Sequence, residues 1–487
     1  MRNRLDMPVQ HQRLMPADRR MAPPPRARPA PPQPRSRRAP ALLWAYLPLL
    51  LALALRLASE ETADISYLVL AVYALTGRAQ AIRALAMLWL LSMLNPELAP
   101  TASAAGIGRY AVLLGAGASA MLRSRLLRAP ARPFTMATML LGVFIAIHAL
   151  LFSAIPDVSI LKAVSWTLAM ASLISHWCGL SPAQRQGIAG ELFLLLVAVL
   201  AASLPLIASP AIGFKVNGTG FQGILNHPQV FGSAMGLLAA WATARLLGLS
   251  RPPYWLLGVA GLALLAVLMS EARTAGLAMA ASMVLGILFG PRLARRPLFK
   301  MLPGLRSGRL WTMFSAVLLA SIVAAPLIAD RFQTYITKSN RVEVTGIVEA
   351  FNNSRGGLMA SMLENIYEHP WFGIGFGIGS EPEIMVIERD SVFGLPTSAV
   401  VEKGVTPIAV VEEMGVFGAL LFGIWLLQLL RSAARGGFEP LTVSLTIVML
   451  NFGEATLFSP GGTGLLSLIL LGWAFSSGVT RTEGRRG

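Results

Sequence analysis

The chain has 487 residues, of which 55% are hydrophobic and 13% charged, with a mean hydropathy of +0.61. Soluble domains carry about 45–50% apolar and about 25% charged residues, so a soluble globular fold is excluded. The formal charge of +17 does not indicate nucleic acid, because no basic surface interleaved with aromatics is present to stack bases. Cys178 is the sole cysteine, which excludes intramolecular disulfides and cysteine-based metal sites.

Residues 1–40 hold ten arginines and a proline-rich stretch, "MAPPPRARPAPPQPRSRRAP". Such a composition cannot build a packed core, and it predicts a disordered cytoplasmic arm touching anionic headgroups. Small residues in "LRLAS" leave open a cleavage after the 41–57 run; an uncleaved first span is the preferred reading. Runs of the length that crosses a hydrocarbon core of roughly 30 Å then recur along the chain. They predict an all-α polytopic integral membrane protein with 12–14 transmembrane helices. Eleven are placed within 41–329: 41–57, 65–77, 80–95, 106–122, 134–154, 158–177, 188–207, 228–249, 254–270, 274–290 and 310–329. Residues 330–405 follow as one large periplasmic loop, and 406–430, 439–456 and 462–479 complete fourteen spans. Residues 480–487 form a cytoplasmic tail.

Arginine distribution fixes the orientation. With the N-terminus inside, inner connections carry Arg78, Arg83, Arg123, Arg125, Arg292, Arg295, Arg296, Arg431 and Arg435, while the outer ones read "SEETAD", "NPELAP" and "SAIPDVS". This obeys the inside-positive rule and predicts a bacterial inner-membrane protein with both termini cytoplasmic. It also moves "SEART", the charged interruption of an apolar tract from Tyr254 to Gly290, to the outer end of a tight hairpin.

His227, Glu271, Arg273, Arg355, His369, Lys403, Glu412, Glu413 and Glu454 then share the outer face. From Arg355 to Tyr367 apolar residues recur at helical spacing, which predicts an amphipathic helix on the membrane surface or over a cavity. Arginine presents a fixed fork of donors suited to phosphate, and two at an interface can hold a lipid pyrophosphate while its chain stays in the bilayer. The six aspartates are scattered, with no Asp-x-Asp pair for a divalent ion, so no metal and no cofactor are expected. Each residue also has a structural reading. Arg273 can anchor a span with Glu271 as its partner, Arg355 can bind headgroups, and His227 before Pro228 can begin a helix. His369 can belong to a turn, and Glu413 and Glu454 can pair with nearby cations. His148 and His176 suit helix packing.

Four elements sharpen this when taken together: "ILNHPQVFGSAMGLLAA", "SEARTAG", "NNSRGGLMASMLENIYEHPWFGIGFGIGS" and "VVEEMGVFGALLFGIWLL". In that order, over roughly residues 190–475, they resemble the O-antigen ligase/polymerase superfamily, with Gln229 where its His-Pro-Asn element has asparagine. The resemblance implies a GT-C-like, metal-independent glycosyltransferase acting on an undecaprenyl-pyrophosphate-linked glycan donor and a glycan acceptor. Membrane lipids and other polysaccharide-assembly proteins are its implied partners. Arg273 and Arg355 match the arginines expected to hold pyrophosphate, and His227 matches the histidine of the His-Pro-Asn element. Ligases carry His-Asn eleven residues before the glycine of their Glu-x-Gly turn. Here that position is Gly404, in "EKGVTP", with Lys403 beside it. The departure favours a polymerase of exopolysaccharide or O-antigen repeats over a ligase to lipid A core, with a lipid-linked sugar flippase as a further alternative. Glu413, Glu454 and His227 are the candidate general bases, unranked; His369, Lys403 and Glu271 are secondary candidates.

Overall fold

The computed structural model describes residues 38–100, 105–123, 131–323, 359–389, 394, 396–399 and 403–483. Residues 1–37 of the expected arm, residues 330–358 of the expected loop with Arg355 among them, its shorter stretches 390–393, 395 and 400–402, and the last four residues of the expected tail lie outside them. The chain divides into two units, Met1–Trp44 and Ala45–Gly487. The described part of the first is the start of α1 (Arg38–Ala58); the second holds every later helix.

The described chain is mostly helical, as hydrocarbon demands of a spanning segment whose backbone groups must be satisfied internally. Leaving single turns aside, α2 (Glu60–Leu75), α3 (Arg78–Ser92), α4 (Ala105–Leu122), α5 (Arg132–Phe152), α6 (Pro156–Gly179) and α7 (Pro182–Ser203) form the first half. Then come α8 (Pro228–Gly248), α9 (Tyr254–Met269), α10 (Arg273–Ala294) and α11 (Gly308–Val323). A helix α12 over 359–368 precedes α13 (Thr406–Gly436), α14 (Phe438–Leu450) and α15 (Gly462–Glu483). A helix thus stands at each segment that hydropathy marked. By length and composition, seven can cross a membrane: α5, α6, α7, α8, α10, α13 and α15. At 16 and 15 residues, α2 and α3 reach about 24 and 22 Å at 1.5 Å per residue, short of a full hydrocarbon core.

Local chemistry sets the helix starts. Ser59 and Thr62 form a capping box at α2, and Ser181 and Gln184 form another at α7. Proline opens α6, α7 and α8, where a missing N–H costs nothing. Apolar side chains such as Leu150, Leu194 and Leu288 remain exposed on helix surfaces, as a lipid-facing wall would have them.

The helices pack as α2 with α3 and α4, α5 with α6, α8 with α9, α10 and α14, and α13 with α15. Small residues permit close crossings: a Cβ on Gly115 would stand 2.6 Å from the Ala71 carbonyl. Where α6 ends, the buried Arg185 donates to the carbonyls of Trp177 (3.1 Å), Leu180 (3.1 Å) and Ser476 (2.7 Å), clipping α6, α7 and α15 together. Trp425, Trp166, Phe422 and Phe458, with centroids 5.0–5.9 Å apart, form an aromatic core that runs from the middle of the bundle to the opposite end. Phe376 meets Phe458 edge-on at 5.2 Å there, joining the segment after α12 to the α14–α15 connection.

That second end also carries the strands Ile387–Arg389 and Pro396–Ala399, paired antiparallel with Ile387 opposite Ala399. Arg389 ties them to Asp157 in the first turn of α6 at 2.6 Å.

Candidate functional site

Three connections meet at this end. The segment before α8 is held against α3: Asn95 donates through Nδ2 to the carbonyls of Ile212 (3.0 Å) and Gly223 (3.2 Å), and the Asn226 amide donates to the Met93 carbonyl (2.8 Å). The α9–α10 hairpin packs on it, since the Phe221 amide donates to the Met269 carbonyl at 2.8 Å, and on the start of α8, where a Cβ at Gly232 would lie 2.3 Å from that of Ala272. The α14–α15 connection closes from the other side, because a Cβ at Gly453 would meet the Thr274 hydroxyl at 2.2 Å. "NHPQ", "SEART" and "NFGE", far apart in sequence, are therefore neighbours.

Between the first and the last of these lies a cavity of about 180 Å³ walled by α3, α8, α14, the α14–α15 connection and α15. His227 and Glu454 both line it, together with Trp89, Ser233 and Thr463. Two of the three expected general-base candidates thus share one space. His227 is the N-cap of α8, and its Nδ1 accepts the Gln229 amide proton at 3.1 Å. A nitrogen accepting there cannot carry a hydrogen, so the neutral ring holds its proton on Nε2. His227 consequently offers a donor.

Glu454 is placed by Asn451, which is 2% exposed. The Asn451 Oδ1 accepts from the amides of Thr456 and Leu457, both at 2.9 Å, and from the Thr406 hydroxyl at 3.0 Å, while its Nδ2 donates to the Ile447 carbonyl at 2.8 Å. One side chain so folds the turn that presents the carboxylate and fastens it to the start of α13.

Arg273 is the first residue of α10, a 22-residue helix. A cation there adds to the positive end of the helix dipole instead of opposing it, which concentrates positive potential where an anion would be received. Glu271 just before it sits in the left-handed region (φ 54°) and accepts from the Thr219 hydroxyl at 3.2 Å.

Glu412, Glu413 and Lys403 form a second constellation, and Glu413 is not among the walls of the cavity. Lys403 Nζ lies 2.7 Å from Glu412 and 3.3 Å from Glu413, with the Lys403 and Glu412 side chains almost wholly buried. Glu412 also accepts from Asn365 of α12 at 2.8 Å, and Glu413 from the Gly377 amide at 2.7 Å. Helix α13 is broken here, at Gly415 (φ 64°, ψ −173°). Into the break fits the segment after His369: the amides of Ile374 and Gly375 donate to the carbonyls of Glu412 (2.9 Å) and Glu413 (3.1 Å), and Val416 donates to Pro370 (3.0 Å). A Cβ on Gly415 would stand 2.1 Å from the Trp371 carbonyl, so the approach requires glycine. His369 serves this turn, its carbonyl accepting the Gly373 amide at 2.9 Å.

His148 bonds through Nε2 to the Phe372 carbonyl, and His176 to that of Ala116 at 3.0 Å, both packing roles. Sequence reasoning passed over Trp89 and Asn451. A tryptophan in a short apolar helix carries no signal, and "NFGE" at a span end reads as an ordinary turn. No group of three or more His, Cys, Asp and Glu able to hold a metal occurs among the described residues.

Residues 258–423 match the O-antigen ligase family, whose members are glycan ligases and polymerases. A comparison with curated proteins finds no match.

Proposed function

We propose that this chain, whose residues 258–423 match the O-antigen ligase family, polymerises undecaprenyl-pyrophosphate-linked repeat units at the periplasmic face of the inner membrane. The observation that carries this reading is the cavity shared by His227 and Glu454, with the Arg273 hairpin packed against both of its neighbouring connections. Arg273, with Arg355, takes the pyrophosphate. Glu454 is the general base and His227 a hydrogen-bond donor through Nε2. An acceptor hydroxyl gives its proton to Glu454 as its oxygen bonds to the donor's anomeric carbon. The bond from that carbon to the phosphate oxygen breaks, and the pyrophosphate leaves with the electron pair on its lipid, its charge met by arginine and helix N-termini. Glu412, Glu413 and Lys403 hold the architecture and stay out of the chemistry.

In cells lacking the native gene, Arg273→Ala and Glu454→Gln should abolish polymer on glycan gels while protein remains in the membrane. Full-length polymer from either variant at normal levels would defeat the assignment. The family's description favours the ligase reading. Deleting the gene separates the two, since a missing polymerase leaves single-repeat product and a missing ligase leaves long polymer on its carrier.

A further inference from the structure

A second cavity, of about 520 Å³, lies at the end of the bundle where Arg185 is buried, between α3 and the α6–α7 turn. The proposed chemistry makes no use of it. Arg78, Gln80 and Arg83 line it from α3; Gln184, Gly187 and Glu191, three and four residues apart on one side of α7, line it from the other helix. Arg83 grips Glu191 through two bonds of 2.7 Å, and the Tyr46 ring centre lies 5.1 Å from its guanidinium. Arg78 is fixed as well, donating to the carbonyls of Gly179 at 2.7 Å and Arg123 at 2.8 Å. Gly187 is the unexpected member. Glycine weakens a helix, and elsewhere in this bundle it stands where helices touch, as Gly115 does against Ala71. A Cβ on Gly187 would meet nothing within 4 Å. No close contact requires that glycine, and any longer side chain there would enter the cavity.

Charge says what belongs in this space. Two guanidinium groups and two side-chain amides line it against one carboxylate, Glu191, and Arg83 already takes up that carboxylate. The surplus is positive, and guanidinium suits phosphate oxygens. The volume falls within the roughly 300–1,000 Å³ of small-molecule sites, so more than a bare ion fits. Position supplies the rest. Helices α3 and α7 begin at this level and α6 ends there, where bilayer headgroups stand. Arginine distribution assigns this side to the cytoplasm, whose leaflet carries anionic lipid. From these observations we infer that the cavity binds the phosphate head of an anionic phospholipid. Arg78 and Arg83 take the phosphate oxygens, with the amides of Gln80 and Gln184 donating beside them. Glu191 is not a ligand; it holds the Arg83 fork in place beforehand, which lowers the ordering cost of binding. Once seated, the lipid bridges α3 and α7. The inference is independent of the glycan-transfer reading.

The test uses the full-length protein in detergent, with phosphatidylglycerol, phosphatidylcholine, glycerol phosphate and inorganic phosphate as probes. Native mass spectrometry reads retention, and thermal unfolding reads stabilisation by the bound probe. Two variants spare the fold. Gly187→Phe fills space in which no atom approaches. Gln184→Glu keeps the oxygen that completes the capping box with Ser181 and turns a negative charge into the cavity. The wild type should retain phosphatidylglycerol in preference to phosphatidylcholine and unfold at higher temperature in its presence. Gly187→Phe should lose both the preference and the stabilisation, and Gln184→Glu should weaken retention by about tenfold or more. No preference in the wild type, or a preference that survives in both variants, would overturn the site. Stabilisation by glycerol phosphate or inorganic phosphate equal to that by phosphatidylglycerol, and lost in the same variants, would overturn the lipid as the source of the phosphate. Polymer synthesis enters none of these readouts, so failure of the catalytic assignment leaves them intact.

Discussion

A histidine at the mouth of a cavity is an obvious candidate base, yet the His227 ring is already committed at Nδ1. Its acceptance of the Gln229 amide fixes the tautomer, and an imidazole with Nε2–H has nothing left with which to take a proton. This yields a sharp comparison. Asparagine is also a good N-cap and can both accept the amide and offer an N–H, but it cannot act as a base. His227→Asn should therefore retain a measurable part of wild-type polymer synthesis, while His227→Ala, which loses cap and donor together, should fall at least tenfold further. Equal inactivity of the two, with both proteins folded, would return His227 to the role of base. The contrast with Glu454 is also a residue-scale lesson. The sequence could name Glu454 as a candidate base but not rank it, because its placement depends on Asn451, whose four hydrogen bonds reach two elements that no local reading joins.

At the scale of the element, the break in α13 is the informative feature. Hydropathy averages over the backbone, so "TPIAVVEEMGVFGALLFGIWLL" reads as one span although its dihedral angles turn over at a single glycine. What lay open in the sequence was the glycine-rich stretch after His369 and the glycine after "EEM"; what stayed hidden was that each exists for the other. Gly415→Ala puts a Cβ against the Trp371 carbonyl and forces a non-glycine residue to φ 64°. Strain of this kind costs of order 1–3 kcal/mol before the clash is added. The expected result is release of the segment after α12, visible as faster proteolysis there than in wild type, with polymer synthesis lost. Unchanged cleavage would show that the break tolerates a side chain.

Across the whole molecule, helix positions were legible because each apolar run must satisfy its own backbone in lipid, whereas contacts between helix ends were not. The Lys403 partners illustrate why: a lysine nine residues from a glutamate pair reads as a loop charge, yet in the fold it lies 2.7 and 3.3 Å from the two carboxylates. Arg185 reads as an ordinary arginine at a helix start, yet holds three carbonyls at the far end. These two buried cations fasten opposite ends of a bundle whose α15, at 22 residues, is about 33 Å long. Lys403→Met strands two acidic groups and should destabilise by about 3–5 kcal/mol; Arg185→Met leaves carbonyls unpaired and should destabilise by about 2–4 kcal/mol. Sites so far apart add to within about 0.5 kcal/mol, and the double variant in detergent unfolding should show that sum. Their effects on polymer synthesis should differ, because Lys403 supports the segment packed beside the cavity and Arg185 supports only the far end. Below the unfolding range of both variants, Lys403→Met should impair synthesis and Arg185→Met should leave it close to wild type. Equal impairment would mean that the bundle transmits strain from end to end, and that the site is not held by its local contacts.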